Sequence, residues 1–101
     1  MKRTGLSIAS QVRIPDDVIF NNLQGEMVLL NLKTGTYFGL DPVGSRAWQL
    51  IQEHGRLGPV RDAMLEEYEV AADRIWKDLH DLVTRLAEKG LVEVIDEGTM
   101  E

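Results

Sequence analysis

Hydrophobic positions change their spacing about two fifths of the way along the chain. Between residues 12 and 40 they alternate or form short runs, as β-strands require. Between residues 42 and 89 they recur every three or four residues, as helices require. The pattern predicts strands followed by helices, which is typical of an α+β fold.

Three strands are predicted in the first part, at 18–23, 27–32 and 36–40. The connections between them are short, and one contains a glycine suited to a tight turn. Strands joined in this way form an antiparallel sheet. Two further short strands are predicted, one at 12–14 and one at 91–95.

The first helix has a clear start and a clear end. Asp41 suits an N-cap and Pro42 suits the first helical position. The helix runs to about His54, where Gly55 stops it.

Two more helices are predicted, from about 58 to 68 and from about 71 to 89, the last ending at Gly90. Three short helices packed on a small sheet describe a winged helix-turn-helix. The expected fold is therefore α+β, with an N-terminal three-stranded antiparallel sheet.

A chain of 101 residues allows one domain, with a core at about 12–95. Segments 1–11 and 96–101 are expected to be flexible. The 17 acidic and 11 basic residues give a net charge of −6, which opposes binding to a polyanion. Residues 73–89 of the third helix carry four cations and four carboxylates, so this helix lacks the positive charge of a DNA-recognition helix.

Several further functions are disfavoured by composition. The chain contains no cysteine and two histidines, which argues against a disulfide, a thiolate site or a histidine zinc site. No apolar run approaches the roughly 20 residues of a membrane span, and the first residues lack the apolar segment of a signal peptide. We therefore expect a cytoplasmic protein without a cofactor or a metal.

No group of residues suggests catalysis. His80 lies at the edge of an apolar stripe, and His54 lies at a helix end, where it can interact with the last carbonyl groups. Glu66, Glu67 and Glu69 are explained at least as well by a solvated acidic face as by acid–base chemistry. We expect a protein that is not an enzyme.

Two features suggest a groove. The third helix carries an apolar stripe that includes Ile75, Leu79 and Leu82, and one margin of the stripe carries charges at four-residue spacing. The pairs 74 with 78 and 81 with 85 are either ordinary ion pairs on a helix surface or the polar rim of a groove.

The third predicted strand can form the other wall of that groove. It is the last strand of the meander, so it lies at a sheet edge, and 36–40 contain neither proline nor charge to block pairing. Phe38 and Leu40 share the face toward the helices, and Tyr37 and Gly39 point the other way. An unprotected edge suggests a partner strand, unless the N-terminal segment covers it.

The stretches MVLLNLKTGTYFGLDPVGSRAW and RDAMLEEYEVAADRIWKDLHDLVTRLAEKGLVEV together resemble the PqqD-like family. The resemblance covers roughly residues 12–95. The matching positions are Leu29, Leu30, Leu32, Thr34, Gly35, Tyr37, Leu40, Gly44, Trp48, Tyr68, Val70, Leu86, Gly90 and Leu91.

Members of this family look like RiPP recognition elements, which bind the leader of a ribosomally made precursor peptide. The sequence is most similar to the stand-alone leader-binding subunit of split lasso-peptide proteases. The resemblance implies that the leader adds as a strand beside the third strand and lies against the third helix. The implied peptide-binding residues are Thr36, Tyr37, Phe38, Gly39, Leu40, Arg74, Ile75, Asp78, Leu79, Leu82 and Arg85.

The implied partners are the precursor leader, a transglutaminase-like leader peptidase and possibly a lasso cyclase, with neither nucleic acid nor membrane. Three alternatives remain open. They are a winged-helix DNA-binding regulator, a structural subunit whose edge strand pairs with a fixed partner, and a PqqD-type chaperone for the precursor of coenzyme PQQ.

Overall fold

The computed structural model describes residues 6–95. The tail 96–101, and residues 1–5 of the N-terminal segment, for which we predicted flexibility, lie outside the described residues. The elements are β1 (Gln11–Arg13), β2 (Val18–Leu23), β3 (Glu26–Asn31), β4 (Tyr37–Gly39), α1 (Pro42–His54), α2 (Leu57–Glu67), α3 (Ala72–Glu88) and β5 (Glu93–Ile95).

The strands form two antiparallel sheets. One has three strands in the order β2-β3-β4, and the other pairs β1 with β5. The predicted α+β class, with a three-stranded antiparallel sheet followed by three helices, is confirmed. The winged helix-turn-helix arrangement is consistent with this architecture. The pairing of β1 with β5, across 80 residues of sequence, was not predicted, because a three-residue strand carries little pattern of its own.

Helix α1 has the predicted ends. The Asp41 side chain accepts a hydrogen bond from the Gly44 N–H at 2.7 Å, and Pro42 is the first helical residue. Gly55 adopts φ 73° as the left-handed cap, which only glycine reaches without strain.

Helix α2 begins at Leu57, slightly earlier than predicted. Its first N–H groups have backbone partners outside the helix, since Leu57 N–H donates to the Ser10 carbonyl and Gly58 N–H to the Ile8 carbonyl. A Cβ on Gly58 would lie 3.1 Å from that second carbonyl, so the glycine permits this close approach. The segment before β1 therefore takes the place of a capping side chain.

The core lies between the inner face of the three-stranded sheet and the helices. Its largest fully buried side chains include Leu29 of β3, Trp48 of α1, Leu57 of α2 and Leu86 of α3. Burial of one such side chain contributes about 1.5–3 kcal/mol. Helices α1, α2 and α3, which line the site described below, thus share one apolar core with β3.

No helix among the described residues is both long enough and apolar enough to cross a membrane.

Candidate functional site

Strand β4 has an open edge. Thr36 O accepts and Leu40 N–H donates a hydrogen bond to β3, each at 2.8 Å. Because hydrogen-bonded pairs alternate along antiparallel strands, Phe38 also turns its backbone N–H and C=O toward β3, whereas Tyr37 and Gly39 turn theirs away. No other strand of the described chain pairs with this side of β4. The edge therefore offers the donors and acceptors of Tyr37 and Gly39 to another strand.

The two faces of β4 have different surroundings. Leu40 is buried and Phe38 half-buried on the face toward the helices, while Tyr37 is 73% exposed on the other face. This agrees with the alternation predicted from the sequence. A strand added at the edge would likewise send alternate side chains toward the helices.

Between β4 and α3 lies a trough that we call the slot. It consists of two adjoining cavities of about 220 and 350 Å³. Both cavities are lined by Asp41, Gly44, Leu82 and Arg85. The smaller one is also lined by Phe38, Gly39 and Leu40, and the larger one by Val43, Ala47, Met64, Asp78, Leu79 and Asp81.

A buried hydroxyl group of α1 connects that helix to β3 and to the residue after β4. Ser45 Oγ accepts the Met27 N–H at 2.8 Å and donates to the Leu40 carbonyl at 3.2 Å. The serine thus takes the place of a direct hydrogen bond between β3 and β4, and it joins the end of β4 to α1. Its side chain is 3% exposed, so the two backbone groups have little access to water.

A buried amide group fixes the opposite end of β4. Asn31 Nδ2 donates to the Gly90 carbonyl at 2.8 Å, just after α3. Asn31 Oδ1 accepts the N–H groups of Lys33 and Thr34, which shape the turn before β4. One side chain therefore connects the turn that precedes the edge strand to the end of the facing helix.

An ion pair joins α1 to α2. Arg46 Nε and Nη2 meet Glu67 Oε1 and Oε2 at 2.8 and 2.7 Å. This side-chain hydrogen bonding lowers the pKa of Glu67 and raises the pKa of Arg46. Glu66 and Glu69 are exposed, as expected for a solvated acidic face, whereas Glu67 has this specific partner.

Of the two ion pairs considered on α3 from sequence spacing, one forms and the other does not. Arg74 Nε does contact Asp78 Oδ2 at 3.1 Å. The expected pair of Asp81 with Arg85 is wrong, because Asp81 pairs with Lys77 at 3.2 Å. Lys77 and Arg85 each lie about one helical turn from Asp81, and Asp81 pairs with Lys77, the cation nearer the N-terminus of the helix. Arg85 is left facing the slot.

Not every residue implied by the family resemblance lies at the slot. Those that line it are Phe38, Gly39, Leu40, Asp78, Leu79, Leu82 and Arg85. Tyr37 lies on the opposite face of β4, Ile75 is buried in the core, and neither lines the two cavities. Thr36 and Arg74 do not line them either, and Arg74 is exposed on α3.

Several slot residues were missed by the sequence analysis. Asp41, Val43, Gly44 and Ala47 come from the start of α1, which closes the end of the slot. The Asp-Pro start of this helix directly after the edge strand was a usable signal, because it places the first helical turn beside that strand. A Cβ on Gly44 would lie 3.1 Å from Asp41 Oδ1 and 3.4 Å from the Leu40 side chain, so glycine keeps this corner compact.

The described residues contain no cluster of histidine, aspartate and glutamate side chains suited to a metal ion. His80 is half-buried, with its ring 6.2 Å from that of Trp76, and His54 lies in the last turn of α1 beside Glu53. Neither histidine lines the slot. The chemistry that the slot offers is backbone pairing at one wall, apolar contact at its floor and charge at its rim.

Comparison with known families agrees with this geometry. The model of coenzyme PQQ synthesis protein D (PqqD) matches residues 26–92, which is more than half of the chain. The chain belongs to the PqqD family. The matched range contains β3, β4, all three helices and therefore the whole slot. No curated protein sequence matches the chain.

Two solved structures are similar to this PqqD-family chain. One is TbiB1 in complex with the TbiA(beta) leader peptide, with 43% sequence identity and a TM-score of 0.75 over 88% of this chain and 99% of that one. The other is a lasso peptide synthetase B1 complexed with the leader peptide, with 25% identity and a TM-score of 0.74 over 82% and 98%. Both neighbours thus bind leader peptides.

Proposed function

We propose that this chain captures the leader of a lasso-peptide precursor as an added β-strand and presents it to the enzymes that mature the precursor. The observation that carries the proposal is the open β4 edge, where the backbone groups of Tyr37 and Gly39 face outward beside the slot. Backbone pairing at such an edge provides affinity for an extended peptide, and pockets for alternate side chains provide selectivity.

The slot suits the side chains that such a strand would turn toward α3. Leu79 is buried and Leu82 half-buried, and together with Ala47 and Met64 they give the larger cavity an apolar floor. The solved leader complexes of the two similar proteins support the same ligand class for this chain. An extended leader loses conformational entropy when it binds, so a preformed slot reduces the cost of binding.

In this role the chain contributes binding, and a leader peptidase and a lasso cyclase contribute the chemistry. We propose a non-catalytic cytoplasmic adaptor, because the slot residues contain neither an activated nucleophile nor a base held by a third group. In this proposal a leader held along one edge leaves the rest of the precursor free for another enzyme.

The proposal is tested by fluorescence anisotropy with labelled TbiA(beta) leader peptide and, separately, with labelled duplex DNA. We expect saturable binding of the leader and none of the duplex. Binding of DNA with a steep salt dependence, without binding of the leader, would identify a winged-helix DNA-binding regulator instead.

A matched pair of variants at Gly39 tests the added strand itself. Gly39→Pro removes the outward N–H, while the hydrogen bonds between β4 and β3 remain, because those belong to the neighbouring residues. Gly39→Ala keeps the N–H, and its Cβ meets no atom within 4 Å. We expect the proline variant to weaken leader binding about tenfold or more, and the alanine variant to bind within about threefold of wild type. Equal binding by both variants would contradict strand addition at β4.

A further inference from the structure

Helix α3 runs antiparallel to β4, so the two ends of the slot have different surroundings. Lys89 Nζ, directly after the helix, lies 5.8 Å from the centre of the ring of Phe38, the middle residue of β4. Asp78 and Asp81, in the middle of α3, line the cavity that extends to Val43 beyond the end of β4. Positions along the helix therefore correspond to positions along the edge strand in reverse order.

Positive charge collects at the C-terminal end of α3. Arg85 faces both cavities of the slot, and within residues 6–95 its guanidinium makes neither a hydrogen bond nor an ion pair. Lys89 likewise has no carboxylate partner in this range, and its described contact is the Phe38 ring. These two cations are available to a ligand, and the C-terminal end of α3 favours cations at this place.

Negative charge collects at the other end. Asp78 and Asp81 line only the larger cavity, whereas Asp41 lines both cavities, as Arg85 does. No described cation pairs with Asp41, and its carboxylate oxygen accepts the Gly44 N–H. Asp78 and Asp81 have exposed partners on α3 itself. Exposed ion pairs of this spacing are weak, so these carboxylates can also interact with a ligand cation.

We propose that the slot fixes the direction of the bound leader by charge, selecting a segment with basic residues at its N-terminal end and acidic residues at its C-terminal end. Such a segment, when antiparallel to β4, places its basic end toward Asp78 and Asp81 and its acidic end toward Arg85 and Lys89. Antiparallel pairing is also slightly the more stable arrangement. This inference rests on the proposed leader capture and adds a rule of charge to it.

Charge can decide direction here because the other contacts discriminate little. Backbone hydrogen bonds at an edge can form with a strand of either direction, and apolar pockets accept many side chains. Reversing a peptide whose ends carry opposite charges replaces each attraction by a repulsion. Several weak contributions of the same sign then add up to a measurable preference.

The test compares two peptides of identical composition. Each contains the TbiA(beta) leader peptide; one carries Lys-Lys before it and Glu-Glu after it, and the other carries the two pairs exchanged. We expect wild-type protein to bind the first peptide about tenfold more tightly at about 50 mM NaCl. The preference should largely disappear at about 1 M NaCl, where the Debye length is about 3 Å.

Two variants with the same change of charge complete the design. Arg85→Glu should reduce the preference below about threefold, while Arg61→Glu, on the surface of α2 outside the slot, should leave it unchanged. If wild-type protein binds both peptides equally, or prefers the second, the charge rule is wrong and leader capture stands. If it binds neither, leader capture itself fails, and this inference fails with it.

Discussion

Two buried polar side chains connect the region of β4 to α1 and to the end of α3, and neither is conspicuous in the sequence. Asn31 is 6% exposed and Ser45 is 3% exposed, each with hydrogen bonds to backbone groups of two different elements. A polar residue at a strand end or in the first turn of a helix is usually exposed. Their roles depend on contacts across 18 and 59 residues of sequence, which no local pattern encodes.

The same limit explains the wrong ion pair on α3. From spacing alone, Asp81 can pair with a cation four residues before it or four residues after it. The sequence therefore predicts that Asp81 has a helical neighbour but does not choose between Lys77 and Arg85. The choice matters for function, because it leaves Arg85 available at the slot.

Ser45→Ala should destabilise the protein by about 1–3 kcal/mol, because it leaves the Met27 N–H buried without its acceptor. Urea denaturation followed by circular dichroism measures the free energy of unfolding. Ser7→Ala is the matched control, since the Ser7 hydroxyl also accepts a backbone N–H, from Ala9, but is exposed. A change below about 0.5 kcal/mol is expected for that control, and an equally small change for Ser45→Ala would show that the hydroxyl does not hold the two strands to α1.

At the level of elements, the sequence predicted most accurately the ends of helices that carry a capping residue, a proline or a glycine. Helix α1 has an Asp-Pro start and a glycine stop, and both ends match the structure. Helix α3 begins at Ala72 without a capping side chain, so its start was predicted only to within a few residues. Strand β4 spans three residues instead of the predicted five, although Thr36 and Leu40 continue its hydrogen bonding to β3.

The ion pair between α1 and α2 should make stability depend on pH. The pKa of Glu67 lies below its ordinary value of 4.5 because Arg46 hydrogen-bonds to the ionised form. A lowered pKa in the folded state stabilises the protein above the unfolded-state value, and this stabilisation is lost as pH falls through the folded-state value. The stability difference between wild type and Glu67→Gln should therefore be largest above about pH 5.5 and shrink progressively below about pH 4.5.

Thermal denaturation at several pH values between about 6 and 3 measures this difference. Glu66→Gln is the control, because it removes the same charge from the same helix at a position without an ion pair in the described chain. A Glu67→Gln difference that stays constant over the whole range would contradict a contribution from the ionised pair.

At the scale of the whole molecule, the three-stranded sheet has two open edges, and the proposed function uses one of them. Asp17 O accepts the Leu32 N–H at 2.8 Å, so by alternation Phe20 and Asn22 of β2 turn their backbone groups away from β3. A cavity of about 400 Å³ adjoins Phe20 at this second edge. Sheet geometry alone therefore does not explain why a peptide would choose β4.

The surroundings of the two edges supply the reason. Helix α3 lies beside β4 and contributes Arg85, which has no ion-pair partner in the described chain, and apolar side chains that line the slot. On the β2 side, by contrast, Arg13 is paired with Glu93 at 3.0 Å. The family match also begins at residue 26, so it includes the β4 edge and excludes β2. Both observations favour the β4 edge for the proposed leader binding.

Hydrogen exchange followed by NMR can separate the two edges within one sample. In the free protein the amides of Tyr37 and Gly39, and those of Phe20 and Asn22, should all exchange rapidly, because they point away from β3. Saturating TbiA(beta) leader peptide should slow exchange at Tyr37 and Gly39 at least about tenfold and leave the β2 pair unchanged. Phe38 lies between the two β4 amides and is bonded to β3 in either state, so it serves as an internal control. Protection of Phe20 and Asn22 instead would move the binding site to the opposite edge and would remove α3 and its charges from the mechanism.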